Sequence, residues 1–343
     1  MSEIALSELA AQIAADKLKT FDLGGNVYAG RTSSVSYDLK GCLLQNGSVL
    51  VDAHYNTISN FKSDSVQVRM NGNGNLVTKG YFYENTVGVD AVILYKSYVY
   101  TLVNTNSAVT DCTFEGGNAG QANVSLNGTG MVCKRNLFLG ACNPKPAIKM
   151  CGSNHIVEGN KVVFKYDPEA DDDAGCIVVG RRWDWVNNTV RGNTIVMEED
   201  AALETNRKIS AVYLDDGISL QKVYNNQIYG FPIGVKLGGG CFNTISGNWF
   251  AYCGDAIRFD ARYQEGYLDG AESLASLGNI PRDSAMWLKY ASKLSKLSYR
   301  PTGNIERDSV VISCTAQFNM VDNILSYGKN SVSSMSVATS GAV

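Results

Sequence analysis

Several things are scarce in this chain, and each scarcity closes a class of function. Lys+Arg 30 against Asp+Glu 33 leave a net charge of −3, with 18% charged residues. Nucleic-acid binding normally shows as a basic excess, so no nucleic-acid partner is expected. No apolar run approaches the roughly 20 residues that span a bilayer, which argues against membrane insertion. The opening "MSEIALSELAAQIAADKLKTF" carries acidic residues early and lacks a basic start and an apolar run. It is no signal peptide, and the expected location is cytoplasmic or virion-associated. The nine cysteines include no CxxC pair and are odd in number. That argues against a complete disulfide framework and against a zinc site. Histidine occurs only as His54 and His155, neither with a partner cluster, so a Ser-His-Asp triad has no support. Proline is scarce as well, 6 against Gly 34 and Tyr 18, which suggests short strands and turns with little helix.

What the chain does have is a repeat. Apolar, two residues, Asn, one residue, apolar returns in "CKRNLF", "VEGNKV", "VRGNTI", "VYNNQI" and "ISGNWF", with a slipped copy in "VDNIL". The marker falls at Gly80, Cys112, Asn136, Asn160, Asn193, Asn226 and Asn248, at intervals of 32, 24, 24, 33, 33 and 22 residues. The reading is a coil of 22 to 24 residues, with loops of about ten residues inserted in some turns. A fixed period means a solenoid. Short strands punctuated by Asn and Gly, which tolerate a left-handed corner, mean a right-handed parallel β-helix. The expected fold is therefore all-β, one solenoid over residues 21–330. A capping helix lies within residues 1–20, its apolar face formed by Leu6, Leu9 and Ile13 and covering a sheet edge. Residues 262–308 break the repeat with helical-period stretches, "AESLASL" and "SAMWLKYASKLSKL", and read as an excursion over one side. Residues 331–343 read as a flexible tail.

Six strands align on their inward apolar pair: "NVSLNG", "AIKMCG", "CIVVGR", "AVYLDD", "GVKLGG" and "AIRFDA". Alternation turns the third position outward as Ser125, Lys149, Val178, Tyr213, Lys236 and Arg258. The fifth position forms a second column: Asn127, Cys151, Gly180, Asp215, Gly238 and Asp260. A slip of one residue would exchange inside and outside. Asp215 lies between two glycines, and Asp260 follows two coils on, which at roughly 4.8 Å per coil separates the backbones by roughly 10 Å. That spacing suits an inverting glycosidase pair, at roughly 6.5–9.5 Å, better than a retaining pair at about 5 Å. One carboxyl would protonate the leaving oxygen while the other activates water. Lys236 and Arg258 would bind hydroxyls or a substrate carboxylate, and Tyr213 would offer a face for sugar stacking. Plainer readings compete. "LDDG" is good turn chemistry, for Asp216 above all. The acidic run "DPEADDDAG" (residues 167–175) reads as a solvated rim, with Ca²⁺ as the ion it would take. No cofactor is required.

"ISAVYLDDGISLQKVYNN", "GVKLGGGCFNTISGNWFAYCGDAIRFDARYQEG" and "YRPTGNIERDSVVISC" together resemble right-handed parallel β-helix glycosidases, with bacterial α-fucosidase and xylanase relatives as named members. The resemblance spans residues 187 to about 330, and its core is "YLDDG" followed by "IRFDAR". It implies two catalytic aspartates, one of Asp215 or Asp216 together with Asp260. Arg262, in the second motif, joins the substrate-binding candidates. The cap helix leading into "KTFDLGGNVYAG" is similar instead to the start of a phage tailspike or depolymerase β-helix. That likeness implies a bacterial surface polysaccharide and a homotrimer. Three functional readings stand. The first is a glycoside hydrolase using the aspartates. The second is a polysaccharide lyase in which Lys236 or Lys149 is the base, Arg258 or Arg181 neutralises a uronate, and aspartates hold Ca²⁺. The third is a non-catalytic fibre that binds glycans.

Overall fold

The structure is a computed structural model. It describes residues 3–83, 87–90, 93–96, 99–102, 106–116, 122–142, 145–166, 173–180, 182, 185–198, 208–260, 304–320, 331–333 and 336–337. Among these, Leu6–Asp16 is the one helix and nearly everything else is short parallel strand. Ile93–Lys96 and Val99–Leu102 alone pair antiparallel.

Each coil contributes three strands, and strands stack coil upon coil into three ladders. The first ladder holds Val124–Thr129, Ile148–Ser153, Gly175–Val179, Ser210–Leu214, Ile233–Gly238, Asp255–Asp260 and Ala316–Met320. The second runs from Ala108–Thr110 through Ile156–Glu158 to Ser331–Ser333. The third runs from Thr113–Glu115 through Lys161–Lys165 to Ser336–Val337. This is the parallel β-helix that the repeat predicts. Inside it, like stacks on like: Phe82 lies 4.7 Å from Phe114, and Phe114 lies 4.8 Å from Phe138, with rings within 9° of parallel. Those distances match the spacing of neighbouring strands.

The corners explain the repeating asparagine. Between the second and third ladders the chain turns through one left-handed residue, such as Arg135 (φ 55), Gly159 (φ 63), Gly192 (φ 60) and Asn225 (φ 56). The next residue in each coil is the marker, whose peptide N–H points along the solenoid axis with no strand partner. The marker of the following coil accepts that N–H. Asn136 donates to Asn160 Oδ1 at 2.9 Å, Asn160 to Asn193 at 2.9 Å, Asn193 to Asn226 at 3.0 Å and Asn226 to Asn248 at 3.0 Å. Each amide Nδ2 returns to a backbone carbonyl, as Asn193 does to Val157 O at 3.0 Å. Cys112 at one end and Ser309 at the other continue the ladder with different side chains.

A second buried ladder, invisible to the asparagine pattern, occupies the corner between the first and second strand ladders. Its members are Asn56, Asn75, Ser107, His155, Asn188, Gln221, Asn243 and Asn304. His155 stands in for an asparagine there. Its Nδ1 accepts from the Met131 N–H at 3.2 Å, which leaves the proton on Nε2 facing Cys151 O at 3.3 Å. Complete burial pushes its pKa down to about 4.

At the N-terminus Glu3–Ala5 already pairs with Val27–Gly30. The helix Leu6–Asp16 then buries Leu6, Leu9 and Ile13 against the first coils and ends at a left-handed Lys17. Residues 262–303 of the expected excursion lie outside the described residues. Within the expected tail, Ser331–Ser333 and Ser336–Val337 extend the second and third ladders.

Two outcomes follow. Asn193→Ala leaves the Asn160 N–H and the Val157 carbonyl without their buried partner and should cost about 2–4 kcal/mol in urea unfolding. Because the folded state holds His155 neutral, its contribution is complete above the ordinary histidine pKa. It is lost as pH falls from about 6.5 towards 4. Thermal melts across that window should fall more steeply for the wild type than for His155→Asn.

Candidate functional site

The first strand ladder carries both outward columns in the register inferred above. Ser125 pairs with Lys149, Lys149 with Val178, Val178 with Tyr213, Tyr213 with Lys236 and Lys236 with Arg258. Asn127 pairs with Cys151, and Gly238 with Asp260. Asp215 sits one residue past the paired strand, its N–H donating to Val179 O at 3.1 Å. The apolar pairs between these columns, such as Val212 with Leu214 and Val235 with Leu237, are buried in the interior. Period-two alternation therefore decides which residues can meet a ligand.

A cleft of about 490 Å³ opens over this ladder, lined among others by Lys149, Cys151, Gly180, Trp185, Tyr213 and Asp215. Lys149 is exposed at its edge. Asp215 reaches the cleft although only 5% of it is accessible. Asp216 does not line the cleft. It adopts φ 33 ahead of Gly217 at φ 72, in a turn closed by the Ile218 N–H on the Asp215 carbonyl at 3.2 Å. The two adjacent aspartates thus divide the work, one in the turn and one facing the cleft.

The glycines beside Asp215 have separate steric reasons. A Cβ on Gly180 would stand 2.5 Å from the Trp185 ring, and a Cβ on Gly238 would stand 3.0 Å from the Asp216 nitrogen. Gly180 therefore lets Trp185 lie against the ladder as one wall of the cleft.

Two of the three column cations, Lys236 and Arg258, are engaged within the chain. Lys236 is 1% exposed. Its Nζ donates to Asp173 Oδ1 at 2.6 Å and lies 4.5 Å from the Tyr213 ring centre. One face of Tyr213 is thus covered by an ammonium group, a favourable cation–π arrangement. Arg258 donates from Nε to Asp255 Oδ2 at 2.6 Å, within its own strand. Lys149 alone of the three column cations is open to solvent. Arg181, Arg262, residues 167–172 of the acidic run and the Asp260 side chain lie outside the described residues. Asp173, the first described carboxylate of that run, is turned onto Lys236.

Sequence reasoning did not single out Trp185, Asp173 or Asp255. Asp255 had a local signal, lying three residues before Arg258 in the same strand. Asp173 had none, since 63 residues separate it from Lys236.

No protein-family model matches the chain, and none of the curated proteins is similar to it in sequence. The α-fucosidase and xylanase resemblance therefore rests on its motif residues alone. Among solved structures, a mutant of a periplasmic alginate epimerase superposes with a TM-score of 0.55 at 10% identity, covering 98% of this chain and 84% of that one. The unmutated epimerase gives 0.50 at 11% identity, covering 99% and 84%. An alginate lyase in complex with a trisaccharide gives 0.45 at 13% identity, covering 100% and 88%. The epimerase likeness shows a shared fold.

The steric argument makes a graded expectation. Gly180→Ala should destabilise the protein by about 1–3 kcal/mol, because the Trp185 ring must move. Gly238→Ala should cost less, since its contact needs only a few tenths of an ångström. Urea titrations of both variants, with tryptophan fluorescence as the signal, read the order directly.

Proposed function

We propose that the protein is a carbohydrate-active enzyme that hydrolyses a glycosidic bond with Asp215 and Asp260. The observation that carries this reading is the column itself. Asp215 faces the cleft, Gly238 follows without a side chain, and Asp260 pairs with Gly238 on the next coil. Two coils at roughly 4.8 Å each leave space between the carboxyls for the water of an inverting displacement. Asp260 or Asp215 would protonate the leaving oxygen while the other activates that water. Trp185, half-buried on the wall of the cleft, offers a surface on which a sugar ring stacks, whereas Tyr213 is buried and does not. An alginate epimerase on the same fold supports a glycan as the ligand of this surface.

The engagement of Lys236 weighs against a lyase that uses it as base. An amine bound as an ammonium to Asp173 and Tyr213 is not the free amine that must take a proton from a sugar carbon. Lys149, exposed in the same cleft, keeps the lyase as a second reading.

The test is a release assay over acidic and neutral polysaccharides that follows reducing ends and ultraviolet absorbance of unsaturated sugars together. Hydrolysis gives reducing ends without absorbance. Asp215→Asn and Asp260→Asn should each lower the rate by about 10²–10⁴-fold, while Asp216→Asn keeps most of it. Absorbance that survives both substitutions and disappears in Lys149→Ala moves the chemistry to the lyase. Release from no substrate sinks both readings.

A further inference from the structure

The left-handed corner residue before each marker changes character along the chain. In later coils the position holds Gly159, Gly192, Asn225, Gly247 and Asp308, with φ between 56 and 63. These residue types adopt that conformation at little cost. In the early coils the same position holds Lys40 (φ 53), Asn60 (φ 53), Lys79 (φ 54), Asp111 (φ 56) and Arg135 (φ 55). A lysine or arginine there is strained by the close approach of its Cβ to the following carbonyl oxygen. Strain kept at Lys40, Lys79 and Arg135, each with a long polar side chain, points to function rather than to folding.

The side chains converge on a groove of about 530 Å³, remote from the cleft in sequence and on a different edge of the solenoid. Lys40, Lys62, Lys79 and Tyr81 line it with exposed side chains, and Asn60 and Thr113 add polar groups. Strand register stacks Lys62, Tyr81 and Thr113 on successive coils. Lys40 pairs with Asp38, and Arg135 holds Asp111 through two bonds of 2.7 Å. Asp111, the acid that lines the groove, is thereby matched, with Lys79 adding a weaker attraction from nearby. Neither Lys62 nor Lys79 forms a direct salt bridge among the described residues. Glu115 receives the Tyr81 hydroxyl and fixes the ring.

We propose that this groove is a second glycan-binding site, for an anionic polysaccharide strand bearing carboxylate or sulfate groups. Lys62 and Lys79 would meet its charges and Tyr81 an apolar sugar face. The coil rise of roughly 4.8 Å is close to the length of one sugar unit, so successive coils can meet successive units. The overall charge of −3 lacks the basic excess that nucleic-acid binding normally shows, so a nucleic acid fits the groove poorly. The site is independent of which reaction the cleft performs.

Affinity electrophoresis of the full chain tests it, in native gels containing alginate, dextran or poly(A). An Asp215→Asn/Asp260→Asn background prevents cleavage. Alginate should retard the protein and dextran should not. Lys62→Ala/Lys79→Gly should weaken that retardation roughly tenfold, equivalent to about 1.4 kcal/mol. Glycine relieves the left-handed strain at position 79, so the Tm of this variant stays equal or rises, which separates lost binding from lost folding. Unchanged retardation in the variant overturns the proposal, as does equal retardation by poly(A), no retardation at all, or a loss that instead follows Lys149→Ala. A protein that cleaves nothing, yet is retarded through Lys62 and Lys79, sinks the hydrolase and supports this site.

Discussion

Among the described residues, corner after corner of this solenoid depends on one hydrogen bond, the corner peptide N–H accepted by a side chain of the next coil. From Ala108 onward the described strands have two to six residues, and strands so short cannot pair every backbone group when the chain bends so often. A buried, unmatched N–H costs about 1–3 kcal/mol, and a stack of coils repeats that debt at each corner. The two ladders, one led by Asn136, Asn160, Asn193, Asn226 and Asn248 and the other passing through His155 and Gln221, cancel it. Because each ladder residue must face the one below, the coils are locked in register. Locked register turns every sequence position into a column.

Columns are what make chemistry on such a surface. A residue meets the same position of its neighbours along the axis, so a side chain is given room only by a small residue above or below. Gly238 leaves room for the Asp216 backbone and the Tyr213 ring on one side of Asp215, and Gly180 gives room to Trp185 on the other. The same logic assembles Tyr213 and Lys236, paired in register and joined by the ammonium–ring contact. A cation on the outward face is therefore not automatically a ligand for substrate. Lys236 and Arg258 stand in the predicted column and are bound to Asp173 and Asp255.

The asparagine ladder was legible because one residue type does the same work five times. Its twin was not, since Asn, Ser, His and Gln share the task and only the accepting atom is common to them. Register was legible from the inward apolar pairs, which is why the strand pairings match the alignment residue for residue between Ser125 and Arg258. The difference between Asp215 and Asp216 was not, because "LDDG" serves a turn and a site equally well. The positive φ of Asp216 separates them. Asp173 was hidden for a simpler reason. Contacts across 63 residues carry no period, and an acidic run reads as solvent-facing until a partner is known.

The uneven intervals of the repeat gain meaning from where the extra residues go. The third strand ladder accepts only small insertions, such as the single-residue bulge between Leu139 and Ala141. Residues 91–105 follow Val87–Asp90, residues 167–172 precede Gly175–Val179, residues 199–207 precede Ser210–Leu214, and residues 261–303 follow Asp255–Asp260. All four insertions flank strands of the first ladder, the one that carries Tyr213 and Asp215. Insertions in a solenoid gather on the face that binds, because that face alone gains from variable loops while the other faces hold the stack together. Lys236 ties one such insertion to the ladder through Asp173, which comes from the end of the acidic run. Asp173, at the end of the run that read as a solvated rim, is thus held by a buried cation of the candidate site. The two intervals of 33 residues fall on the coils that supply Trp185 and Asp215.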